Sequence, residues 1–96
     1  MDIGTAIKTI RKKKGLGQKE LSDATDLSVN AISQIELNVT FPHKKNIAKI
    51  CEALEIPVSY LLFFSISDED IPDEKKVVFE SLNGALKNVL LESLSE

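Results

Sequence analysis

Asn30 lies three residues before Ser33 and four before Gln34, a spacing that places these polar side chains on one face of a helix. Asn and Gln can each make a pair of hydrogen bonds to N6 and N7 of adenine, and the neighbouring Val29 could contact a thymine methyl group. The face is polar but uncharged, which favours reading of base edges over general charge attraction. Asn and Ser are also common on ordinary solvated surfaces, so these residue types alone leave both interpretations open.

Apolar residues on the opposite side of the same segment indicate how this face is held in place. Ala31, Ile32 and Ile35 recur at helical spacing and predict a helix over 29–37. Ser28 precedes that helix and can serve as its N-cap, because its hydroxyl can accept a hydrogen bond from a free N–H group of the first turn.

A second short helix is predicted just before this one, over 18–25, with Leu21 and Ala24 on its apolar side. Asp26 and Leu27 would form the turn between the two, and Asp tolerates a left-handed backbone better than most residues. Helices this short cannot stand alone and need flanking helices. A helix, a tight turn and a helix together form an arrangement that can present the second helix to the major groove of DNA.

Cationic side chains at two predicted helix ends could contact phosphate oxygens. Lys12 and Lys13 lie in a last helical turn, where the helix dipole favours cations, so a solvated helix end explains them equally well. Lys44 and Lys45 lie at a helix start, where the dipole disfavours them, and a phosphate contact would offset that cost. Gln18 adds a side-chain amide at another helix start, where free N–H groups suit a phosphate.

Charge is distributed unevenly along the 96 residues. Residues 1–50 hold nine Lys and Arg against five Asp and Glu, whereas residues 51–96 hold three Lys against ten Asp and Glu. A basic half that works on nucleic acid and an acidic half with another role would explain this asymmetry. The alternative is that both halves simply carry solvated charge.

Several classes of function find no support in the sequence. No run approaches 18 apolar residues, the first residues do not resemble a secretion signal, and a single Cys51 excludes an internal disulfide, so a cytoplasmic location is expected. His43 has no second ligand at metal spacing, and Cys51 is expected to be a core residue. No cofactor, metal, small-molecule ligand or enzymatic activity is predicted, because no nucleophile–base pair or phosphate loop is present.

Three further helices are predicted around the central segment, over 3–14, 44–54 and 57–63. The first two carry apolar stripes formed by Ile3, Ala6, Ile7, Ile10, Ile47, Ile50, Cys51 and Leu54. Pro57 suits the first helical position of the third, and Phe41 is expected to fill the core beneath its loop. The apolar run 60–64 is too long for one core face and implies a second contact surface.

The C-terminal part separates into an acidic linker over 65–71 and a segment over 72–96. That segment predicts a helix reaching about residue 94, with a seam at coiled-coil-like spacing formed by Phe79, Leu82, Leu86 and Val89. Asn83-Gly84 could break this helix, but the apolar stripe keeps its phase, so one helix with a weak point is predicted. It could fold back on its own domain or pair with a second chain.

From residue 7 to about residue 62 the sequence resembles the phage-repressor and Cro-like helix-turn-helix family, which is also called XRE-like. The matching positions are Ile10-Arg11, Leu16-x-Gln18-x-x-Leu21, Leu27-Ser28-x-x-x-Ile32-Ser33-x-Ile35-Glu36, Pro42, Ile47-x-x-Ile50-x-x-x-Leu54 and Tyr60-Leu61-Leu62. The chain departs from the family at Asp26, where Gly is usual, at Ser22, where Ala is usual, and after Glu36-x, where the usual Gly is Asn38 or absent. The resemblance implies an all-α fold, with a five-helix repressor-type helix-turn-helix bundle over 1–64 and a C-terminal amphipathic helix outside the shared pattern.

The resemblance also implies roles for single residues. Bases would be read by Val29, Asn30, Ser33 and Gln34. Phosphate contacts would be made near Gln18, Asn38, Lys44 and Lys45, and Gln18 would also brace the recognition helix. Arg11 and Glu36 match a structural ion pair between the first helix and the end of the third, which gives Arg11 a structural role and leaves phosphate contact at the end of the first helix to Lys12 and Lys13.

Two hypotheses of function follow. The first is a transcriptional regulator that binds double-stranded DNA as a homodimer, with half-sites about 34–36 Å apart and with the C-terminal seam as the dimer contact. The second is a protein-interaction module, antitoxin-like or a co-regulator, in which the apolar surface of the last two helices binds a different protein.

Overall fold

The chain folds into six α-helices, in a computed structural model that describes residues 1–94 apart from the side chain of Asp68. These helices are α1 (Ile3–Lys13), α2 (Gln18–Thr25), α3 (Val29–Glu36), α4 (Lys44–Leu54), α5 (Val58–Ser65) and α6 (Lys76–Leu94). Two short 3₁₀ turns, Asp68–Asp70 and Asp73–Lys75, connect α5 to α6. The described residues contain no strand, and the predicted all-α fold is confirmed.

Local capping interactions set the ends of α1 and the start of α3. The Asp2 carboxylate accepts a hydrogen bond from the Thr5 N–H at 3.1 Å, and the Ser28 hydroxyl accepts one from the Ala31 N–H at 3.0 Å. Gly15 follows α1 with a φ of 73°, a left-handed conformation that glycine adopts without strain. These caps explain why the observed bounds of α1 and α3 lie within one residue of those predicted from the sequence.

The hydrophobic core lies between α1 and the four helices that follow it. Helix α1 packs against α3 and α5, while α2 packs against α3 and α4. The core includes Ile3, Ile7, Ile10, Leu21, Ile32, Ile35, Ile50, Leu54 and Leu61. All of these side chains are buried, and most belong to the stripes that helical periodicity predicts.

The buried side of α2 differs from the prediction. Ala24 is exposed, and Thr25 and Ser22 are buried instead. Thr25 lies four residues after Leu21 and therefore on the same face of the helix. Its hydroxyl donates a hydrogen bond to the Leu21 carbonyl at 2.8 Å, which satisfies the polar group inside the core.

Two predictions around the loops are also wrong. Phe41 is 62% exposed and does not fill the core, and its neighbour Pro42 is buried. Pro57 has an extended ψ of 148° and is the N-cap of α5, not its first helical residue. Helix α5 also extends to Ser65, which the sequence assigned to the linker. Ser65 is buried, and its hydroxyl donates to the Leu61 carbonyl at 2.7 Å, so the additional turn leaves no polar group unsatisfied there.

Helix α6 continues without a break through Asn83 and Gly84, as the phase of its apolar stripe predicts. Its C-terminal end folds back on the bundle, where Leu90, Leu91 and Leu94 pack against the core. A different set of apolar side chains on α6 is exposed, namely Val77, Val78, Leu82, Leu86 and Val89. The predicted segment 72–96 ends with residues 95–96, which lie outside the described residues.

Candidate nucleic-acid interface

The four residues predicted to read bases occupy the first two turns of α3. Val29 and Asn30 are exposed, whereas Ser33 and Gln34 are half-buried. Ile32 and Ile35 are buried and anchor the other side of α3 in the core. The helix therefore has one apolar anchored side and one polar accessible side that carries no charge, and hydrogen bonding is the chemistry that this side offers.

Hydroxyl groups hold the turn between α2 and α3. Asp26 adopts a left-handed conformation with a φ of 62°. The Ser22 hydroxyl donates to the Leu27 carbonyl, and the Leu27 N–H donates to Thr25 Oγ1 at 3.3 Å. Ser22 and Asp26, two of the positions where the chain departs from the usual family residues, thus take part in the turn, so the angle between α2 and α3 is fixed without a glycine.

A buried bidentate ion pair connects α1 to the end of α3. Arg11 Nε lies 2.7 Å from Glu36 Oε2, and Arg11 Nη2 lies 3.0 Å from Glu36 Oε1. The two side chains are only 7% and 3% exposed. Arg11 Nη1 also donates to the Leu16 carbonyl at 2.8 Å, and Gln18 Nε2 donates to Glu36 Oε1 at 3.0 Å. The network therefore joins α1, α2 and α3 at a single carboxylate.

The charged state of both partners is favoured by this network. Burial by itself raises the pKa of Glu36, but the hydrogen bonds from Arg11 and Gln18 lower it, and the net pKa lies below its ordinary value of 4.5. The pKa of Arg11 is raised, chiefly by its hydrogen bond to Glu36. Because both groups stay ionised, the pair remains intact at neutral pH.

Two amide side chains predicted to lie near phosphates make contacts inside the protein. Gln18 is the first residue of α2, and its amide donates a hydrogen bond to the Glu36 carboxylate. Asn38 Oδ1 accepts a hydrogen bond from the Gly4 N–H at 3.0 Å, and Asn38 Nδ2 donates to Asp2 Oδ1 at 2.7 Å. Asn38 thus ties the loop after α3 to the start of α1, and a phosphate contact there would need the second N–H of Nδ2.

Gly4 is a structural residue that the sequence analysis missed. A Cβ atom at this position would collide with the Ile35 carbonyl oxygen and with the Asn38 side chain, so α1 can approach the end of α3 only because residue 4 is glycine. The sequence signal for this close approach is a glycine inside the apolar stripe of α1, next to Ile3 and three residues before Ile7.

The four lysines predicted to contact phosphates lie on the surface of the same bundle. Lys12 and Lys13 are exposed in the last turn of α1, and Lys44 and Lys45 are exposed in the first turn of α4. Within residues 1–94, none of the four takes part in an ion pair, whereas Lys19 pairs with Asp23 at 2.7 Å. Cations that lack a protein partner can contact the phosphates of a bound duplex.

A model of the helix-turn-helix domain family matches residues 4–63 of the chain, which is more than half of its length. The chain belongs to the helix-turn-helix family. The family is of the XRE/Cro-like type, as the sequence resemblance predicts, and membership indicates a DNA-binding regulator. A search of curated proteins found no match, and a search of solved structures found none either.

The helix-turn-helix domain defined by this match begins within α1 and ends within α5, so that α2 and α3 are its two central helices. Helix α6 lies beyond the match. Of the four seam residues predicted there, Leu82, Leu86 and Val89 are exposed and Phe79 is half-buried. No helix among the described residues is long and apolar enough to cross a membrane.

His43 and Cys51, the side chains of the helix-turn-helix protein that could bind a metal or react, lie at the start of a helix and in the core. His43 is the N-cap residue of α4, and its side chain makes no capping hydrogen bond. Cys51 is buried in the core, where burial raises the pKa of its thiol. Within residues 1–94, no group of three or more His, Cys, Asp and Glu side chains is arranged to hold a metal ion.

Proposed function

We propose that the protein is a sequence-specific transcriptional regulator, without enzymatic activity, that places α3 in the major groove of DNA. The observation that carries this proposal is the uncharged polar side of α3, where Asn30 is exposed and Gln34 is partly accessible. The Ser28 cap and the Arg11–Glu36 pair fix the two ends of this helix. A rigid helix with accessible carboxamides suits paired hydrogen bonds to adenine edges.

Affinity for the DNA backbone would come from residues outside that face. The exposed Lys12, Lys13, Lys44 and Lys45 supply positive charge, and Gln18 and Asn38 supply amide groups near helix ends. Because phosphate contacts release counterions, binding should weaken steeply as the salt concentration rises. Specificity and affinity would therefore reside in different side chains of the same domain.

One α3 would cover only a few base pairs, so a homodimer would be needed to bind a longer operator. The exposed apolar side chains of α6 include Leu82, Leu86 and Val89, and such a row is a candidate contact for a second copy. Two domains related by a two-fold axis would bind half-sites about 34–36 Å apart.

The reading face is tested by substituting its two carboxamides. Asn30→Ala and Gln34→Ala should each weaken binding to an operator selected from random DNA by about 1–3 kcal/mol, because each removes paired hydrogen bonds to a base. Binding to an unrelated duplex should stay the same. Fluorescence anisotropy at fixed salt measures both, with Asn88→Ala on the exposed side of α6 as the matched control. Unchanged operator binding by both α3 variants would show that α3 is not the reader.

A protein-interaction module is the alternative, and it would use the apolar side chains exposed on α5 and α6, including Leu62, Val78 and Leu82. Light scattering at micromolar concentration distinguishes the homodimeric regulator from the protein-interaction module. A stable homodimer that is lost in Leu82→Asp and Leu86→Asp, but kept in Val77→Asp, supports the regulator. A monomer supports a module that binds a different protein.

A further inference from the structure

One row of apolar side chains on α6 points away from the bundle. Val78, Leu82 and Val89 are 62%, 60% and 62% exposed, and Ala85 is exposed between them. They recur at spacings of four, three and four residues, which is the repeat of a coiled-coil seam. We name Val78, Leu82, Ala85 and Val89 the outer row.

The outer row differs from the seam that the sequence alone predicts. Phe79 belongs to the predicted seam but is half-buried, as are Leu90 and Leu94, which pack on the core. Helical geometry places these three side chains on one side of α6 and the outer row on another. Phe79 is half-buried beside Ile71 and Pro72, which precede α6, whereas Leu86 stays exposed at the side of the outer row.

The spacing of the outer row, four, three and four residues, is the same in both chain directions. A second copy, reversed about the midpoint between Leu82 and Ala85, places Leu82 opposite Ala85 and Val78 opposite Val89. A large side chain then faces a small one at the two central positions, which lets the helices interdigitate. The same reversal extends three residues beyond each end of the row, where it places Lys75, the last residue of the 3₁₀ turn before α6, opposite Glu92 near the end of α6.

The charges at the two ends distinguish the two directions of pairing. Lys75 and Glu92 are both exposed, and within the described part of the chain neither takes part in an ion pair. Antiparallel pairing places each Lys75 beside the Glu92 of the other copy. Parallel pairing in register would instead place lysine against lysine and glutamate against glutamate, which is repulsive.

From this pattern we infer that a second copy of the chain docks antiparallel on the outer row. The inference rests on the proposed homodimer and assigns its contact surface and its direction. Val78, Leu82, Ala85 and Val89 form the apolar contact, and Lys75 and Glu92 form one ion pair at each end of the two-fold contact. The charges select the direction, while the apolar row supplies the attraction.

Engineered disulfides test the direction. A disulfide needs Cα atoms about 4.4–6.8 Å apart. Residues 78 and 89 of one chain are separated by roughly 16 Å along the helix, so they cannot bridge within a chain. After mild oxidation, Val78→Cys/Val89→Cys should give a covalent dimer on a non-reducing gel, and neither single variant should do so. The unaltered chain, with its buried Cys51, is the control.

A charge-reversal cycle provides a second readout. At low salt Lys75→Glu and Glu92→Lys should each weaken dimerisation by about tenfold, since each turns two attractive pairs into repulsive ones. The double variant should recover the original affinity, measured by analytical ultracentrifugation. Glu80→Lys is the matched control, because Glu80 is exposed on α6 but lies away from the outer row.

The outcomes separate failure of this inference from failure of the homodimer itself. Cross-linking by either single cysteine variant would show parallel pairing, and a dimer that the double variant cannot cross-link would place the contact elsewhere. In both cases the inference is overturned while the homodimer stands. A chain that stays monomeric at micromolar concentration would overturn both, and operator binding by α3, measured separately, would still test the DNA-binding role.

Discussion

Glu36 is the residue that connects α3 most directly to α1 and α2. Its carboxylate receives hydrogen bonds from Arg11 and Gln18, which belong to two other helices. A buried charge of this kind is tolerated because its partners compensate for the lost hydration. The position of α3 relative to α1 and α2 is therefore set at a single side chain near its C-terminal end.

Removing the charge of Glu36 should destabilise the fold strongly. Glu36→Gln leaves the buried Arg11 guanidinium without a counter-charge, and we expect the free energy of unfolding to fall by about 3–5 kcal/mol. Urea unfolding followed by circular dichroism measures this change. Glu52→Gln, at an exposed carboxylate of α4, is the control and should have little effect. A small loss in Glu36→Gln would mean that the pair contributes little to stability.

The lowered pKa of Glu36 gives this pair a defined pH dependence. Because the pKa is lower in the folded chain than in the unfolded one, the pair's contribution to stability is present above the ordinary value of 4.5. It is lost as the pH falls from there through the folded pKa, since the folded state then takes up a proton at a cost. The decline in stability below pH 4.5 should be shallower in Glu36→Gln than in the unaltered chain, as thermal unfolding at several pH values would show. Parallel curves would contradict the assignment.

At the scale of elements, α6 carries apolar side chains on more than one side, so a single amphipathic stripe does not describe it. Leu90, Leu91 and Leu94 pack on the bundle, whereas the outer row remains exposed. The helix is thus apolar on more than one side, and its fold-back contact at the C-terminal end leaves the row accessible along most of its length. This division allows α6 to belong to its own domain and also to present a surface to a partner.

Gly84 is a weak point in α6 that can be repaired. An added Cβ atom would meet nothing within 4 Å, and Gly84 lies in the interior of a regular helix. Gly84→Ala should therefore raise the free energy of unfolding by about 0.5–1 kcal/mol by restricting the unfolded chain.

Gly15 is the matched control for this substitution. It has equal space around it, but its φ is 73°, so Gly15→Ala should destabilise the chain instead of stabilising it. Thermal unfolding of the two variants compares them directly. Equal effects of the two substitutions would indicate that backbone conformation does not control the outcome.

For the whole molecule, charge is distributed unevenly between the two halves of the chain. Residues 1–50, with nine Lys and Arg, contain α3 and the four exposed lysines of α1 and α4 that we propose contact phosphates, while residues 51–96, with ten Asp and Glu, contain α5 and α6. Five of these ten acidic residues lie in the segment 68–74 before α6 and disfavour contact of that segment with phosphates.

Phosphate contacts by the α4 lysines predict a measurable salt dependence. Lys44→Ala and Lys45→Ala should each reduce the slope of log affinity against log salt by about one, uniformly across DNA sequences. Anisotropy titrations from low to physiological salt measure the slope. Lys87→Ala on α6 is the control and should leave it unchanged. A slope that does not change in any variant would place the phosphate contacts elsewhere.

The sequence by itself determined the helices and the turn at the centre of the domain. Helix bounds depend on caps and on apolar spacing within a few residues, as at Asp2, Ser28 and Gly15, and such signals are local. The family pattern likewise predicted the proximity of Arg11 and Glu36, because those positions lie on helices whose packing the family shares.

Only the tertiary structure decided which marginal residues are buried. The exposure of Phe41, the burial of Thr25 in place of Ala24, and the close approach at Gly4 depend on where distant helices lie, which local spacing does not encode. The same holds for α6, where apolar residues occupy several sides of the helix. Its packing on the bundle covers the side with Leu90, Leu91 and Leu94 and leaves the outer row exposed, while Phe79 of the predicted seam is half-buried beside Pro72.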